Sequence, residues 1–454
     1  MRFFYLLAAI AFLVSCKNSE NSSDTNSEKV LLSVHLDKAH DSIVIRRDSR
    51  YKMANQKDTS LTLFSKNNSF SDTLNIPEGY YELKFKDHSI KLFLQPGFQL
   101  NISQNGPVIN FTGKGADENQ YLQKRGQMLA DLGGKNYPRS YYLKLKENDF
   151  LKFVDSIEKS RMKLISSSNL DETFRKRETN REQIEKADKI NTYSFGRKFI
   201  DSSYVVSNDY PDPLKNLDII DPSLLNIDLY RILLFTYSGP KSEDLNMERW
   251  EYILSDEFPS KNEEIRQEVF YITAVFDMAG FKKLDEFYAD AQKFVENRKY
   301  MDEITKKYLD LKNLAKGKQA PEFELDSLEG NTVALEDLKG NVVFLDIWTT
   351  SCGPCIQAMP EIKKLQDDFE DQNIKFVSIG VESKKERVQE ILRMKNLGGI
   401  QLFHPSKDEE IMKKYAVTSF PRYVLIDEEG KIVEHKADHP TDPGLKKQLN
   451  TLLK

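Results

Sequence analysis

Two cysteines, Cys352 and Cys355, lie in the segment WTTSCGPC with a glycine and a proline between them. The chain of 454 residues contains three cysteines, and the third, Cys16, lies near the N-terminus. A disulfide between Cys352 and Cys355 closes a very small loop and stabilises a fold little. The pair is therefore predicted to carry out thiol–disulfide chemistry rather than to staple the structure.

The N-terminus predicts an exported protein that is attached to lipid. Arg2 precedes an apolar run over residues 3–14, which is short for a membrane span and fits a secretory signal over residues 1–15. The run ends in LVSC, which resembles a bacterial lipobox, where the signal is cut before the cysteine and the cysteine carries the lipid. An ordinary signal peptide with a chance cysteine is the alternative. With Cys16 lipidated, the other two cysteines are the thiols of a protein in an oxidising compartment.

Composition sets broad limits on the rest of the chain. The polar segment KNSENSSDTNSEK predicts a flexible tether over residues 16–28. No other apolar run approaches the ~18 residues of a membrane span, so the remainder is expected to be soluble. Apolar residues make up 39% and aromatic residues 11%, which is enough for ordinary cores. The net charge of −5, without a basic stripe, argues against nucleic acid as a partner.

Residues 29–115 read as short strands. Runs such as KVLLSVHL, YYELKFK and IKLFLQ are rich in β-branched and aromatic residues, and Pro-Gly and Asn-Gly turn signals separate them. About seven strands in such a segment predict a small all-β sandwich.

Residues 116–315 change to a helical pattern. Stretches such as EEIRQEVFYITAVFDMAGF place apolar residues at spacings of three and four, which predicts a central all-α region. Glu182 and Glu185 are interpreted as members of solvated helix-surface pairs. The many aromatic residues are most simply core, and a peptide-binding groove is the functional alternative.

The last 140 or so residues alternate between strand and helix patterns. NVVFLDIW is a nearly continuous apolar run, which is typical of a strand buried on both faces of a sheet. IKFVSIGV is predicted as the next buried strand, and RYVLIDEEG with KIVEHKA as a hairpin. Ser383 and Glu386 are predicted to form a capping box for a helix that starts near Lys384.

This pattern gives the cysteine pair a mechanism. Cys352 lies where a buried strand gives way to a helix, and the free N–H groups and the dipole of a helix N-terminus favour a thiolate. Cys355 lies one turn further on, close enough to form a disulfide. Gly353 and Pro354 occupy first-turn positions, where proline costs little. Cys352 is therefore predicted to attack a substrate disulfide, and Cys355 to resolve the mixed disulfide.

Further motifs surround the pair. They are APEF at residues 320–323, FLDIWTTSCGPC, Pro360 in the following helix, VTSFPRYVLID and Gly430. Together they resemble the TlpA/ResA-like thiol–disulfide oxidoreductases of the thioredoxin superfamily. The resemblance implies an α/β thioredoxin-like fold over residues 316–454. The segment YYELKF…LFLQPGFQLNIS…INFTGKGADEN in turn resembles the sandwich domain that often precedes such modules in lipoproteins.

The resemblance also implies how substrate is held. The Phe420–Pro421 bond is expected to be cis, to face the cysteines and to contact the backbone of the substrate. Trp348, Gly353 and Pro354 are expected to line the same surface. A Gly-Pro dipeptide between the cysteines resembles strongly reducing thioredoxin rather than the oxidant DsbA, which favours a reductase or isomerase.

Two carboxylates are candidates for activating Cys355. Asp346 interrupts the apolar run VVFLDIW, where a carboxylate is costly unless it has a task. It matches the buried acid of thioredoxin, and its predicted role is proton acceptor. Glu382, in IGVESKK, matches the active-site glutamate of ResA-like proteins and is the second carboxylate. A hydrogen-bonded core acid and a solvated residue ahead of a helix, respectively, are the alternatives.

The sequence thus predicts a multidomain enzyme of the bacterial cell envelope, lipid-anchored and facing the periplasm or the surface. No cofactor and no metal are expected. The expected partners are protein disulfides, a membrane thiol protein that supplies electrons, and the membrane itself through Cys16.

Three other functions compete with this interpretation. A zinc site requires two ligands beyond the CxxC pair, and His404, His435 and His439 are the candidates. A peroxiredoxin-like peroxidase is expected to have proline seven residues before the reactive cysteine, where this chain has Leu345. A partner-binding lipoprotein with a secondary redox role is the third, and repeated turnover of a disulfide substrate distinguishes an enzyme from it.

Overall fold

A computed structural model describes most of the chain beyond the N-terminus. The described residues are 28–48, 60–66, 69–86, 88–131, 139–201, 203–381, 383–404 and 410–454. The predicted signal, Cys16 and Glu382 therefore lie outside the described residues. Within them, no helix has the length and apolar character needed to cross a membrane. The chain divides into two compact units, Met1–Pro213 and Leu214–Lys454, and this division falls inside the segment predicted as one helical region.

The first unit contains two four-stranded sheets. Its described strands are β1 (Val30–His35), β2 (Ser42–Arg47), β3 (Ser60–Phe64), β4 (Ser69–Leu74), β5 (Gly79–Phe85), β6 (His88–Leu94), β7 (Gln99–Asn105) and β8 (Val108–Lys114). One sheet has the order β4-β1-β7-β8 and the other β3-β2-β5-β6. Buried side chains alternate along the strands, as in Val30, Leu32 and Val34 of β1. Both sheets contribute these side chains to one hydrophobic cluster.

Helices follow the sheets within the same unit. They are α1 (Ala116–Asp131), α2 (Arg139–Tyr142), α3 (Glu147–Ser167) and α4 (Glu172–Ile200). Tyr121 of α1, Ile165 of α3 and Phe174 of α4 belong to the hydrophobic cluster of the two sheets. The helices of this unit therefore extend the core of the sheets.

The face of α4 that carries Glu182 and Glu185 is buried. Arg125 Nε of α1 donates to Glu182 Oε1 at 2.7 Å, and Arg161 Nη1 of α3 donates to Glu182 Oε2 at 2.7 Å. Glu182 is 2% exposed, and Arg161 also reaches Glu185. The prediction of solvated surface pairs was wrong, because α1 and α3 cover this face and bring arginines of their own.

The second unit begins with a short 3₁₀ turn, Pro222–Asn226, and five α-helices. They are α5 (Asp228–Asp244), α6 (Arg249–Leu254), α7 (Glu263–Asp277), α8 (Leu284–Phe294) and α9 (Arg298–Asn313). Polar side chains mark helix starts: the side chain of Asn262 accepts a hydrogen bond from Ile265 N–H at the start of α7, and that of Asn297 accepts one from Tyr300 N–H at the start of α9. A short 3₁₀ turn, Met278–Gly280, follows α7 directly.

A domain of alternating strands and helices forms the rest of this unit. Its strands are β9 (Glu324–Asp326), β10 (Thr332–Ala334), β11 (Val342–Trp348), β12 (Ile374–Val381), β13 (Ile400–His404), β14 (Arg422–Ile426) and β15 (Ile432–Glu434). Its helices are α10 (Gly353–Asp368), α11 (Lys385–Lys395), α12 (Glu410–Lys414) and α13 (Pro443–Leu452). The main sheet has the order β13-β12-β11-β14-β15, with β11, β12 and β13 parallel and β14 antiparallel to β11.

Strand β11 lies at the centre of this sheet, and all seven of its residues are buried. The predicted strand with both faces covered is therefore confirmed. Phe344 and Trp348 point to the face that α10 covers, where they pack in one cluster with Met359 and Ile362. This packing fixes where α10 begins relative to the end of β11.

Candidate redox site

Cys352 and Cys355 form a disulfide at the start of α10. Strand β11 ends at Trp348, the chain turns with a hydrogen bond from Cys352 N–H to Thr349 O of 3.0 Å, and the helix begins at Gly353. Cys352 is the N-cap residue, and its Sγ accepts a hydrogen bond from Cys355 N–H at 3.1 Å. A negative sulfur at this position gains both that hydrogen bond and the helix dipole.

The two sulfur-bearing residues differ in access to solvent. Cys352 is half-buried, and Ser351, Gly353 and Pro354 around it are exposed. Cys355 is 2% exposed and belongs to the hydrophobic cluster between β11 and α10. A large substrate disulfide can therefore reach Cys352 but not Cys355.

The loop before β14 packs against the same hydrophobic cluster as the disulfide. The Phe420–Pro421 peptide is cis. Phe420, Cys352 and Ile356 are half-buried and pack against the same hydrophobic cluster. Phe420 and the half-buried Pro421 thus retain accessible surface, as do the exposed residues Gly353 and Pro354.

Trp348 was predicted to line the substrate-contacting surface, but it is buried. Its side chain has no exposed surface and packs in the same cluster as Cys355. The reason is strand alternation, which points Trp348 inward toward α10. We therefore assign Trp348 to the packing beneath the disulfide and not to the substrate-contacting surface.

Asp346 lies on the same face of β11 as Trp348, toward α10. The carboxyl is 2% exposed, and Ser378 Oγ donates to its Oδ2 at 3.5 Å. Its Oδ1 has no hydrogen-bond partner among the described residues. Burial raises the pKa of Asp346 from its ordinary 3.8 to about 7, against the opposing hydrogen bond of Ser378. A carboxyl of this kind exchanges a proton near neutral pH.

Two neighbours of Asp346 could not be identified from the sequence. Register places Ser378 of β12 on one side of Asp346 and Tyr423 of β14 on the other. The Tyr423 hydroxyl is buried and has no partner within the described part of the chain. Burial and the charge of Asp346 both raise the pKa of Tyr423, so the phenol stays neutral beside the carboxyl. Spacing along the chain carries no signal for either residue, because both meet Asp346 through strand pairing.

Ser383 serves the loop before Cys352 instead of capping a helix. Its Oγ accepts a hydrogen bond from Thr350 N–H at 3.0 Å and lies 3.3 Å from Thr349 Oγ1. Helix α11 starts at Lys385, and its N-cap, Lys384, makes no side-chain cap. The predicted capping box was therefore wrong, because the Ser383 hydroxyl ties the end of β12 to the cysteine loop.

The histidines of the competing metal site are spread over the domain. His435 Nε2 lies 3.0 Å from Ala279 O, and His439 Nδ1 lies 2.8 Å from Thr441 Oγ1. Over the described ranges, no three His, Cys, Asp or Glu side chains are grouped so as to hold a metal.

A disulfide at the first turn of the helix after the central strand, together with a cis-proline just before the antiparallel strand β14, is typical of the thioredoxin-like class of dithiol–disulfide proteins. A family model described as Redoxin matches residues 315–453. The thiol-disulfide oxidoreductase ResA of Bacillus thuringiensis subsp. konkukian is 31% identical over 138 residues, which are 30% of this chain and 76% of that protein. ResA of Bacillus subtilis is 32% identical over 122 residues, 27% of this chain and 67% of that protein.

The chain belongs to the ResA family of thiol-disulfide oxidoreductases, because it covers two thirds or more of these relatives at over 30% identity. It is therefore an enzyme of that class. A solved structure of the thioredoxin domain of a thiol-disulfide oxidoreductase from Bacteroides vulgatus is 26% identical and covers 31% of this chain and 99% of its own, with a TM-score of 0.29. The predicted family and enzyme class are confirmed, whereas the lipoprotein and the sandwich likeness stay predictions.

Proposed function

We propose that this protein is an exported, membrane-anchored reductase or isomerase that exchanges its Cys352–Cys355 couple with the disulfides of other proteins. The observation that carries the proposal is the contrast between a half-buried Cys352 at a helix N-terminus and a Cys355 that is 2% exposed. This contrast supports attack by Cys352 and resolution by Cys355.

The reaction uses the reduced couple. The Cys352 thiolate attacks one sulfur of the substrate disulfide, forms a mixed disulfide and releases the other substrate sulfur as a thiolate. Cys355 gives its proton to Asp346 and attacks Cys352 Sγ. The second substrate thiol leaves, and the Cys352–Cys355 disulfide forms again. Two electrons have passed to the substrate, and a membrane thiol protein restores the couple.

The surface that meets substrate is formed by the cis-proline loop and the start of α10. The proposal is supported by the accessible surface of Phe420 and Pro421 and by the exposure of Gly353 and Pro354. We propose that an extended backbone segment of the substrate lies between them, with its disulfide over Cys352.

The reduction potential of the couple tests the proposed direction. A Gly-Pro dipeptide favours a value near that of thioredoxin, about −270 mV, over that of the oxidant DsbA, about −120 mV. Equilibration of the full chain with glutathione mixtures, read by thiol alkylation and mass, gives the value. A potential near the oxidant end contradicts a reductase or isomerase and favours an oxidase of protein thiols.

The anchor is proposed to be a lipid on Cys16, supported by the LVSC sequence after the apolar run. Cys16→Ser is expected to move the protein from the membrane fraction to the soluble fraction, or to leave its signal uncleaved, because the acceptor sulfur is lost. Fractionation and intact mass measure both. Cys355→Ser, which leaves the lipobox intact, is the control. Membrane retention of a fully processed Cys16→Ser protein contradicts the lipid anchor.

We further propose that residues 29–115 form a sandwich, that residues 116–315 supply helices, and that residues 316–454 carry the redox chemistry. Support for the sandwich comes from two four-stranded sheets that share one hydrophobic cluster.

A further inference from the structure

Arg422 lies directly behind the loop that is proposed to hold substrate. It follows Pro421 of the cis peptide and is the first residue of β14. Across the sheet it pairs with Ile347 of β11, the strand that leads to Cys352. A shift of Arg422 therefore moves Pro421 relative to Cys352.

The guanidinium of Arg422 is buried without a counter-ion. The residue is 2% exposed, and its Nη1 donates a long hydrogen bond of 3.4 Å to His435 O. No carboxylate of the described residues forms an ion pair with it, and burial alone lowers the pKa of Arg422 to about 10. A buried charge of this kind is costly, so the surrounding structure must hold it in place.

Helices of the same unit supply that support. His435, whose carbonyl accepts from Arg422, places its ring Nε2 at 3.0 Å from Ala279 O in the 3₁₀ turn after α7. Its neighbour Lys436 packs so closely on Gly280 that a methyl group there would collide with the ammonium. Contacts thus run from the turn after α7 through His435 to Arg422.

The segment after α9 holds the same hairpin from its other side. Gly317 N–H donates to Ile432 O at 2.7 Å, and Ile432 N–H donates to Lys318 O at 2.8 Å. Because α9 ends at Asn313, this pairing ties the helix closely to β15. The hairpin of β14 and β15 is therefore fixed by both α7 and α9.

Two lysines of the same unit lie close enough to Arg422 to feel its charge. Lys307 of α9 donates to Val275 O, and burial together with the charge of Arg422 lowers the pKa of Lys307 to about 8. Burial and Arg422 also lower the pKa of Lys436. Arg422 therefore repels both lysines, and Asp277, whose charge raises the pKa of Lys307 and of Lys436, offsets part of the repulsion.

We infer that Arg422 is a positioning residue for the substrate-binding loop, and that α7, through His435, and α9, through its link to β15, set the affinity for protein disulfides. This inference rests on the proposed contact between Phe420–Pro421 and substrate. Loss of Arg422 loosens Pro421 but leaves the disulfide at the start of α10 in place. Substrate binding is therefore expected to suffer, and the chemical steps are not.

The test compares variants of the full chain in the reduction of an insulin-like protein disulfide, with dithiothreitol as electron source. Arg422→Met is expected to raise KM about tenfold, because the variant loses one hydrogen bond from a charged group. Both kcat and the equilibrium constant with glutathione are expected to stay within about twofold of wild type. Arg422→Lys is expected to restore part of the affinity. Lys431→Met, at an exposed position on the same hairpin, is the matched control and is expected to behave as wild type.

A folded Arg422→Met protein whose KM matches wild type overturns the inference, as does a loss confined to kcat. Thermal unfolding shows which variants are folded. Should Arg422→Met not fold, His435→Leu decides, because leucine has no donor for Ala279 O and β14 is left intact. A raised KM in this variant supports the inference, and an unchanged KM overturns it. Absence of turnover in the wild-type protein contradicts the proposed function itself and the inference with it.

Discussion

Replacing Cys352 with serine is expected to abolish disulfide reduction, lowering turnover by at least ~10³-fold. Cys352 is the half-buried N-cap of α10, and Cys355, at 2% exposure, cannot take over the attack on a protein substrate. The measurement is the rate of insulin-like disulfide reduction by the full-length chain.

Cys355→Ser is the matched variant. It retains the attacking sulfur and loses the resolving one, so it is expected to accumulate a mixed disulfide with substrate that non-reducing mass analysis detects. Cys352→Ser is expected to show none. The opposite pattern, with trapping by Cys352→Ser, reverses the assignment of the two sulfurs.

Replacing Asp346 with asparagine is expected to slow resolution of the mixed disulfide by about tenfold or more at pH 7, with its formation unchanged. Cys355, and not Cys352, belongs to the buried core on this face of β11, and the pKa of Asp346, about 7, suits a proton acceptor. The resolution rate of the wild-type protein is expected to rise as the pH passes through about 7, and the variant is expected to lose this inflection.

Stopped-flow measurement of both steps between about pH 6 and 9 checks this result. Asp371→Asn, at an exposed position, is the control for the change in charge. Glu382→Gln is expected to have a smaller effect of the same kind. Equal resolution rates for Asp346→Asn and wild type across the pH range leave Asp346 as a structural residue.

The burial of Asp346 is also expected to make the free energy of unfolding depend on pH. The folded state raises its pKa from 3.8 to about 7, so the folded protein binds the proton more tightly and loses stability as the pH rises between these values. The loss amounts to about 2 to 4 kcal/mol. Asp346→Asn is therefore expected to be more stable than wild type at pH 8 and nearly equal at pH 4. Urea unfolding at the two values tests it, and a variant that is less stable at pH 8 contradicts an unpaired buried charge.

Much of the thioredoxin-like domain could be predicted because its signals are local. The run NVVFLDIW needs cover on both faces, and it forms β11 with every residue buried. The Gly-Pro dipeptide fits a helix start, and α10 begins at Gly353. Phe420–Pro421 rested on the family resemblance, because proline alone gives a cis bond little probability.

The predictions that were wrong concern contacts between distant segments. Glu182 has the spacing of a surface residue, but α1 and α3 bury it with arginines of their own. Ser383 has the spacing of a helix cap, but its hydroxyl accepts a hydrogen bond from Thr350 N–H, which connects the ends of the neighbouring strands β12 and β11. Trp348 belongs to the motif around the cysteines, yet strand alternation turns it inward. In each case tertiary packing determines the burial and the hydrogen-bond partners of the side chain, and the periodicity of the sequence carries no information about that packing.

The measurement that tests the central claim most directly is the number of disulfides that each protein molecule reduces. The full-length chain, supplied with an insulin-like disulfide substrate and a thiol electron donor, is predicted to reduce many equivalents, because the Cys352–Cys355 disulfide is regenerated and reduced again in each cycle. Cys355→Ser, reduced first and then mixed with substrate after the donor has been removed, is predicted to stop at one equivalent, held as a mixed disulfide. A wild-type protein that also stops at one equivalent behaves as a binding protein with a redox-active pair, and this result would contradict a thiol–disulfide oxidoreductase.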